Sequence, residues 1–344
     1  MSVATFGAVR GLGPNDLRDL GAQILLANTY HLHERPGEEV IESLGGLHGF
    51  TGWNGPWLTD SGGYQVTSLA DRMKLDESGI TFKSPLDGQT RALTPERAIA
   101  IQEALGPDIA MVLDECQPLV TGDETLDARR RAEGVTARTH RWAARCAEVR
   151  TRADQAVFGI VQGGPYEDLR RESAEATADV GFDGYAHGGL GLGEDRNQRV
   201  DLVASANEAL PASAPRYLMG LGRPEDLLDA IAVGVDLFDC VVPTRNARHG
   251  NLFTSQGVLP IKASRFRDDP NPVDPECDCA TCATHSRAYL RHLIHVGEAL
   301  GARLCTLHNL RFYMRTLERS REAIREGRFT ALRRELDSAV RLRI

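Results

Sequence analysis

Cys277, Cys279 and Cys282 fall within six positions, in ECDCATCATH, although the whole chain holds only seven cysteines in 344 residues. Three soft ligands on a tight loop suggest a metal, and a closed tetrahedral zinc site needs a fourth. His285, His292, His295, Cys305 and His308 are the candidates. His285 is too near in sequence to cross-link much. His292 and His295 sit in the helix-like stretch SRAYLRHLIHVGEAL, and His308 lies beyond it, where a metal would clamp a loop to the far end of a helix. A Cys₃His set leaves no open coordination position, so such a metal would hold shape and not perform chemistry. Chance clustering of thiols is the competing explanation.

Carboxylates are the second chemical signal. Asp60 in LTDSGGYQV, Asp114 in VLDECQP and Asp239 in LFDCVVPTR each close an apolar run. Two carboxylates facing one another can divide the roles of nucleophile and general acid/base. Taken singly, an aspartate at such a place is more often a cap or turn residue. The glycine clusters DSGG, VQGG and HGGLGLG let backbone amides approach a planar ligand or an anion, or they are plain turns. Tyr64 and Met219 are placed to cover the faces of a flat ligand, or to fill the core.

The elements that must position these residues follow a rhythm. Apolar runs recur at 2–5, 23–29, 57–63, 109–115, 157–164, 184–191, 216–222 and 237–244, each followed by a polar or glycine-rich turn and helix-like sequence. Runs with little alternation read as strands buried on both faces, as in parallel sheets. Thr94 before Pro95, and Pro224 followed by acids, mark two of the helix starts. Eight β–α units predict a (β/α)₈ barrel, of class α/β. The rival doubly wound sheet would want G-x-G-x-x-G after its first strand, and none is there. Asn28, Asp60, Asp114, Glu115, Gln162, Gly188, Gly189, Gly220 and Asp239 end the strands, so a barrel would bring them to one face. The proline- and aspartate-rich DDPNPVDPECDCATC breaks the rhythm and marks an excursion.

The bulk composition is that of an ordinary soluble globular protein, 42% apolar and 26% charged. No apolar run has the length of a membrane span, and the first residues do not read as a signal peptide, so a cytoplasmic, thiol-reducing setting is expected. The net charge of −8 argues against a nucleic-acid partner until its distribution is considered. Residues 240–344 carry 18 Lys and Arg against 11 Asp and Glu, and residues 1–239 carry 22 against 37. The C-terminal third is therefore basic and rich in Arg, which suits phosphate or a salt-bridged helix surface equally.

LANTYHLHERPG, LTDSGGYQV, VLDECQP, GIVQGG, GYAHGGLGLGE, RYLMGLGRPEDLLDAI, LFDCVVPTRNARHG and the Cys₃…His spacing occur in this order. Together they resemble the bacterial-type tRNA-guanine transglycosylase family, from about residue 8 to the C-terminus. The resemblance implies an irregular (β/α)₈ TIM barrel with an inserted zinc-binding subdomain. Its expected units are 1–262 for the catalytic barrel, 263–310 for the zinc unit, and 311–344 for C-terminal helices completing the barrel. It also implies a homodimer that exchanges the wobble guanine of tRNAs with a G-U-N anticodon (Asp, Asn, His, Tyr) for a 7-deazaguanine base, in queuosine biosynthesis. By resemblance Asp239 is the nucleophile and Asp60 the general acid/base. The base pocket comprises Asp60, Ser61, Gly62 and Gly63, with Asp114, Gln162 and Gly189 reading the base edge and Tyr64 and Met219 stacking on it. Gly220, Leu221, Gly222, Arg223, Pro224, Glu225 and Asp226 resemble one RNA contact. Thr244, Arg245, Asn246, Ala247 and Arg248 resemble the loop that reads the wobble nucleotide. Cys277, Cys279, Cys282 and His308 match a structural zinc set, one ion per chain.

The region before the first strand is short for this family, so that strand is expected to be shortened. Leu192, at a place that shapes the pocket for the 7-substituent, favours the smaller preQ1 over queuine. Three rival functions make different demands on the sequence. A zinc hydrolase would need an open metal site at the barrel mouth. A non-catalytic RNA-binding subunit would lack Asp60 or Asp239. A DNA-directed deazaguanine transglycosylase is disfavoured by the intact PTRNARHG.

Overall fold

A computed structural model describes residues 1–69, 73–116 and 126–340. Eight parallel strands form one sheet: Ser2–Val3, Leu25–Ala27, Trp57–Thr59, Ile109–Met111, Ala156–Val161, Gly184–His187, Arg216–Leu218 and Leu237–Phe238. Each pairs with the next of these in chain order. A parallel bridge between Ser2 and Cys240 joins first to last and closes the barrel. All eight expected strands are present, and the first is indeed short, at two residues.

Burial explains the apolar runs. Leu25, Leu58, Met111, Ile160, Ala186 and Tyr217 are all 2% exposed or less, covered by barrel interior on one side and helices on the other. Each such large side chain contributes about 1.5–3 kcal/mol of apolar transfer. The helix signals are also realised. Thr94 Oγ1 accepts from Arg97 N–H at 3.2 Å to cap Pro95–Leu105, and Pro224 starts Pro224–Ala232.

Two insertions make the barrel irregular. An antiparallel sheet of Met73–Asp76, Gly79–Lys83 and Thr90–Leu93 lies between the third and fourth barrel strands. A hairpin, Asn251–Thr254 with Gly257–Pro260, follows the eighth. Beyond it the cysteine loop, the short helix Ala280–Thr284 and the helix Arg287–Val296 lead into one 27-residue helix, Ala299–Arg325, which runs continuously through residue 310. Among the described residues no helix is long and apolar enough to cross a membrane.

Candidate active site and metal centre

The strand ends do converge. Asp60 follows the third strand, and its N–H donates to Ala27 O at 3.3 Å, extending the ladder by one residue. Its carboxylate is buried and accepts three hydrogen bonds: from Asn28 Nδ2, from Thr29 N–H at 2.9 Å and from Gln65 Nε2 at 2.7 Å. Burial pushes its pKa up to about 6 against the pull of those donors, and the charge of Asp239 pushes the same way. Asp114, three residues past the end of the fourth barrel strand, Ile109–Met111, is likewise buried and accepts from Gln162 Nε2 at 2.6 Å. Burial raises it to about 6 as well, with Asp60 and Glu115 adding repulsion. Asp239 is partly exposed. Its Oδ1 accepts from the Tyr217 hydroxyl and from Gly220 N–H at 2.8 Å. Among the described residues its Oδ2 receives no hydrogen bond. Burial and the charge of Asp239 hold the Tyr217 phenol well above its ordinary range, so it stays a donor.

The other expected pocket residues surround these carboxylates. Ser61 is buried, and its Oγ accepts from Gly63 N–H at 3.3 Å. Gly62 has a positive φ of 84°, and a Cβ on Gly63 would meet Asp114 O at 3.0 Å. The DSGG turn therefore packs backbone to backbone, which side chains would prevent. A Cβ on Gly189 would strike Gln162 Oε1 at 2.3 Å, so that glycine lies directly on the Gln162 amide. Tyr64 is 53% exposed at the start of Gly63–Leu69, while Met219 is half-buried against the core.

Of the two expected RNA segments, 220–226 has a mixed orientation. Gly220 is exposed and Leu221 half-buried. Gly222 O accepts from the Tyr313 hydroxyl at 2.7 Å. The Arg223 side chain is 72% exposed and Glu225 is partly covered. Pro224 and Asp226 face inward, with Asp226 paired to Arg199 at 2.8 Å. The second segment is not the loop that the resemblance implied. Thr244 to Arg248 lie on the helix Val242–His249, which Pro243 starts and Gly250, at φ 84°, ends. Helical spacing buries Thr244 and Ala247 and leaves Arg245 exposed, with Asn246 and Arg248 partly so. Burial and repulsion from Arg10 and Arg245 lower the pKa of the Arg248 guanidinium, which places three cations near one another.

The thiols gather as expected. Ligand atoms of Cys277, Cys279, Cys282 and His308 all lie within 4.8 Å of one another. Cys282 Sγ is 3.2 Å, and Cys279 Sγ 3.8 Å, from His308 Nδ1. His308 Nε2 lies 2.7 Å from Phe253 O, which fixes the proton there and leaves Nδ1 free to bind a metal. Cys279 Sγ accepts from Cys282 N–H at 3.4 Å. This donor set fits a metal ion that prefers sulfur and nitrogen in a closed site. His308 lies beyond the helix Arg287–Val296, as its sequence position suggested, but not outside helical structure. It lies within Ala299–Arg325, because the helix-like stretch breaks at Gly297 and restarts.

The sequence model of the family described as queuine tRNA-ribosyltransferase matches residues 1–341. The chain belongs to that family. It is 52% identical over 340 residues to a queuine tRNA-ribosyltransferase of Solidesulfovibrio magneticus, covering 98% of this chain and 90% of the relative. A Thermus thermophilus protein of the same name is 51% identical over 335 residues, covering 97% and 86%. One from Actinobacillus pleuropneumoniae is 49% identical over 334 residues, covering 96% and 85%.

Several residues that serve this family member's site carry no signal in the sequence alone. Tyr217 reads as a core filler, yet it holds Asp239. Gln102 is fully buried, accepts from Thr59 Oγ1 at 2.9 Å and from Met111 N–H at 2.8 Å, and donates to Met111 O at 2.8 Å. It thereby ties together the strands that carry Asp60 and Asp114. Asn309, beside His308, donates to Pro243 O at 2.9 Å and Asn251 O at 3.1 Å and accepts from Phe253 N–H at 3.0 Å. One long helix thus holds the metal cluster, the Val242–His249 segment and, through Tyr313, Gly222.

Proposed function

We propose that this chain is a tRNA-guanine transglycosylase that replaces the wobble guanine of G-U-N tRNAs with a 7-deazaguanine, in queuosine biosynthesis. The observation that carries the reading is the asymmetry of Asp239. One carboxylate oxygen is pinned by Tyr217 and Gly220, while the other is unengaged among the described residues, beside a buried acid with a pKa near neutrality. Asp239 Oδ2 attacks C1′ of the ribose, the C1′–N9 bond breaks, and its electron pair leaves with the base. Asp60 delivers the proton that neutralises the base, and takes one back when the incoming base attacks C1′ and displaces the aspartate. Two displacements retain configuration. A pKa of about 6 suits a group that must both give and accept a proton near neutral pH. Asp114, Gln162 and Gly189 read the base edge, and Tyr64 and Met219 cover its faces. The wobble base leaves a single-stranded loop to enter, which costs less than leaving a duplex. Leu192, half-buried beside the glycine turn, favours preQ1 over queuine.

Arg223 and the Arg245–Arg248 face meet the RNA backbone. Residues 1–262 carry the chemistry. Residues 263–310 form the zinc unit, in which Cys277, Cys279, Cys282 and His308 hold one structural zinc, and the C-terminal helical part completes the barrel. Zinc supplies cross-linking here and no step of the reaction. The working form is a cytoplasmic homodimer, for which Tyr289, Val296 and Leu300 offer exposed apolar surface on the zinc unit.

The test is exchange of radiolabelled guanine into an unmodified G-U-N tRNA. Wild type should incorporate label and form a denaturation-stable RNA adduct that Asp239→Ala does not. Adduct formation by Asp239→Ala would sink the assignment of the nucleophile. Competition between preQ1 and queuine decides the incoming base, and sedimentation the dimer.

A further inference from the structure

Arg170 is the one fully buried arginine among the described residues, and no carboxylate comes within ion-pair distance of it there. It projects from the helix Glu167–Val180. Its guanidinium is spent entirely on backbone carbonyls: Nε donates to Gly164 O at 3.0 Å, Nη1 to Gly188 O at 2.7 Å and Val161 O at 3.3 Å, and Nη2 to Gly189 O at 3.2 Å. Packing permits this because Gly163 lacks a side chain; a Cβ there would meet Arg170 N at 2.7 Å. Burial draws the guanidinium down to about 10, so it stays charged at neutral pH.

Glu194 supports the charge from beyond ion-pair distance; burying a cation with no anion in direct contact is still costly, so its position matters. Val161 ends the strand before Gln162, and the other three carbonyls belong to the two loops that carry Gln162 and Gly189. In a trans peptide the N–H points opposite the C=O. Holding Gly188 O therefore turns Gly189 N–H away from the guanidinium, where it meets the Cys116 thiol, a weak acceptor that a carbonyl oxygen can displace, while the Gly189 α-carbon packs on the Gln162 amide. A cation on the oxygen of a peptide also polarises it and makes its N–H a stronger donor.

We infer that Arg170 is a positioning residue for base recognition. It fixes the Gly188–Gly189 peptides against Gln162 and strengthens the Gly189 N–H as a donor to a ring carbonyl oxygen of the bound base. The inference rests on the base-pocket reading above. It predicts that Arg170 matters in proportion to the carbonyl oxygen on the ligand, which a merely structural residue would not.

The test is calorimetric binding of guanine and of 2-aminopurine, which lacks that oxygen, to wild type, Arg170→Lys and Arg170→Met, with binding of unmodified tRNA measured in parallel. Guanine should weaken about tenfold in Arg170→Met and about threefold in Arg170→Lys, which keeps the charge and loses the fork. 2-Aminopurine and tRNA should each stay within about twofold of wild type. Where Arg170→Met fails to fold, Arg170→Lys carries the comparison. Equal weakening of both bases, or unchanged guanine affinity, would overturn the inference while leaving the pocket reading intact. Wild type that binds no guanine would overturn both.

Discussion

At the barrel mouth Asp60 feels the charge of Asp239 and Asp114 that of Asp60, and burial lifts Asp60 and Asp114 to a pKa of about 6. At the cysteine cluster three thiols and an imidazole converge, and His308 Nε2 is already engaged with Phe253 O. The first site is unsaturated: Asp239 is partly exposed and has an oxygen to offer. The second has four donors for four positions and nothing left over. The site that most resembles reactive chemistry in a sequence is therefore the inert one. Reactivity follows unmet bonding capacity more closely than ligand type.

Changes to the two regions should separate activity from stability. The largest effect belongs to Asp239→Asn, which keeps the shape and removes the proposed nucleophile. Guanine exchange should fall by about 10⁴-fold or more, while zinc content and melting temperature stay at wild-type values. A parallel loss of zinc would break the comparison. Next, Cys279→Ala should lower bound zinc from about one per chain and cost on the order of 3 kcal/mol or more of unfolding free energy, read by metal analysis and denaturant titration. Residual folded protein should still bind guanine.

Asp114→Asn should do the reverse of Cys279→Ala and stabilise. The folded protein holds the Asp114 proton to about pH 6, whereas the unfolded chain releases it near 3.8. Between those values the native state binds more protons, so stability falls as pH rises and levels off above about 6. The asparagine variant avoids that loss. Its gain should be on the order of 2–3 kcal/mol at pH 7.5 and vanish below about pH 4, followed by thermal melts across pH, with guanine affinity reduced. The smallest effect is expected from Arg245→Ala. It should weaken tRNA binding about three- to tenfold and lower the salt slope by about 1, with guanine affinity unchanged.

Much of this was legible because barrel strands are covered on both faces, so each had to be an apolar run that ended in something polar. Asp60, Asp114 and Asp239 stood out for that reason. The antiparallel insertion carries the hairpin signal Asp87-Gly88 but little apolar patterning, since Met73–Asp76 has no buried residue and Thr90–Leu93 only Leu93. The loop expected at 244–248 came from the resemblance alone; the helix Val242–His249 has marks of its own in Pro243 in its first turn and Gly250 just past its end. Tyr217 and Gln102 went unread because their partners are far along the chain, and a tyrosine or glutamine carries no mark of what it will touch. His308 stood among five candidates by spacing, and only the resemblance singled it out.

The helix Ala299–Arg325 has a further consequence. His308, Asn309 and Tyr313 reach the metal cluster, the backbone around Pro243 and Phe253, and Gly222 from one rigid rod. A rod of this kind works as a ruler. One residue inserted between Asn309 and Tyr313 would turn everything beyond it by about 100° and advance it by about 1.5 Å. Tyr313 would then leave Gly222 while the metal cluster stayed whole. The length of that five-residue span is therefore a more stringent requirement than the identity of most side chains along it, and it makes the span a place where insertions are not tolerated.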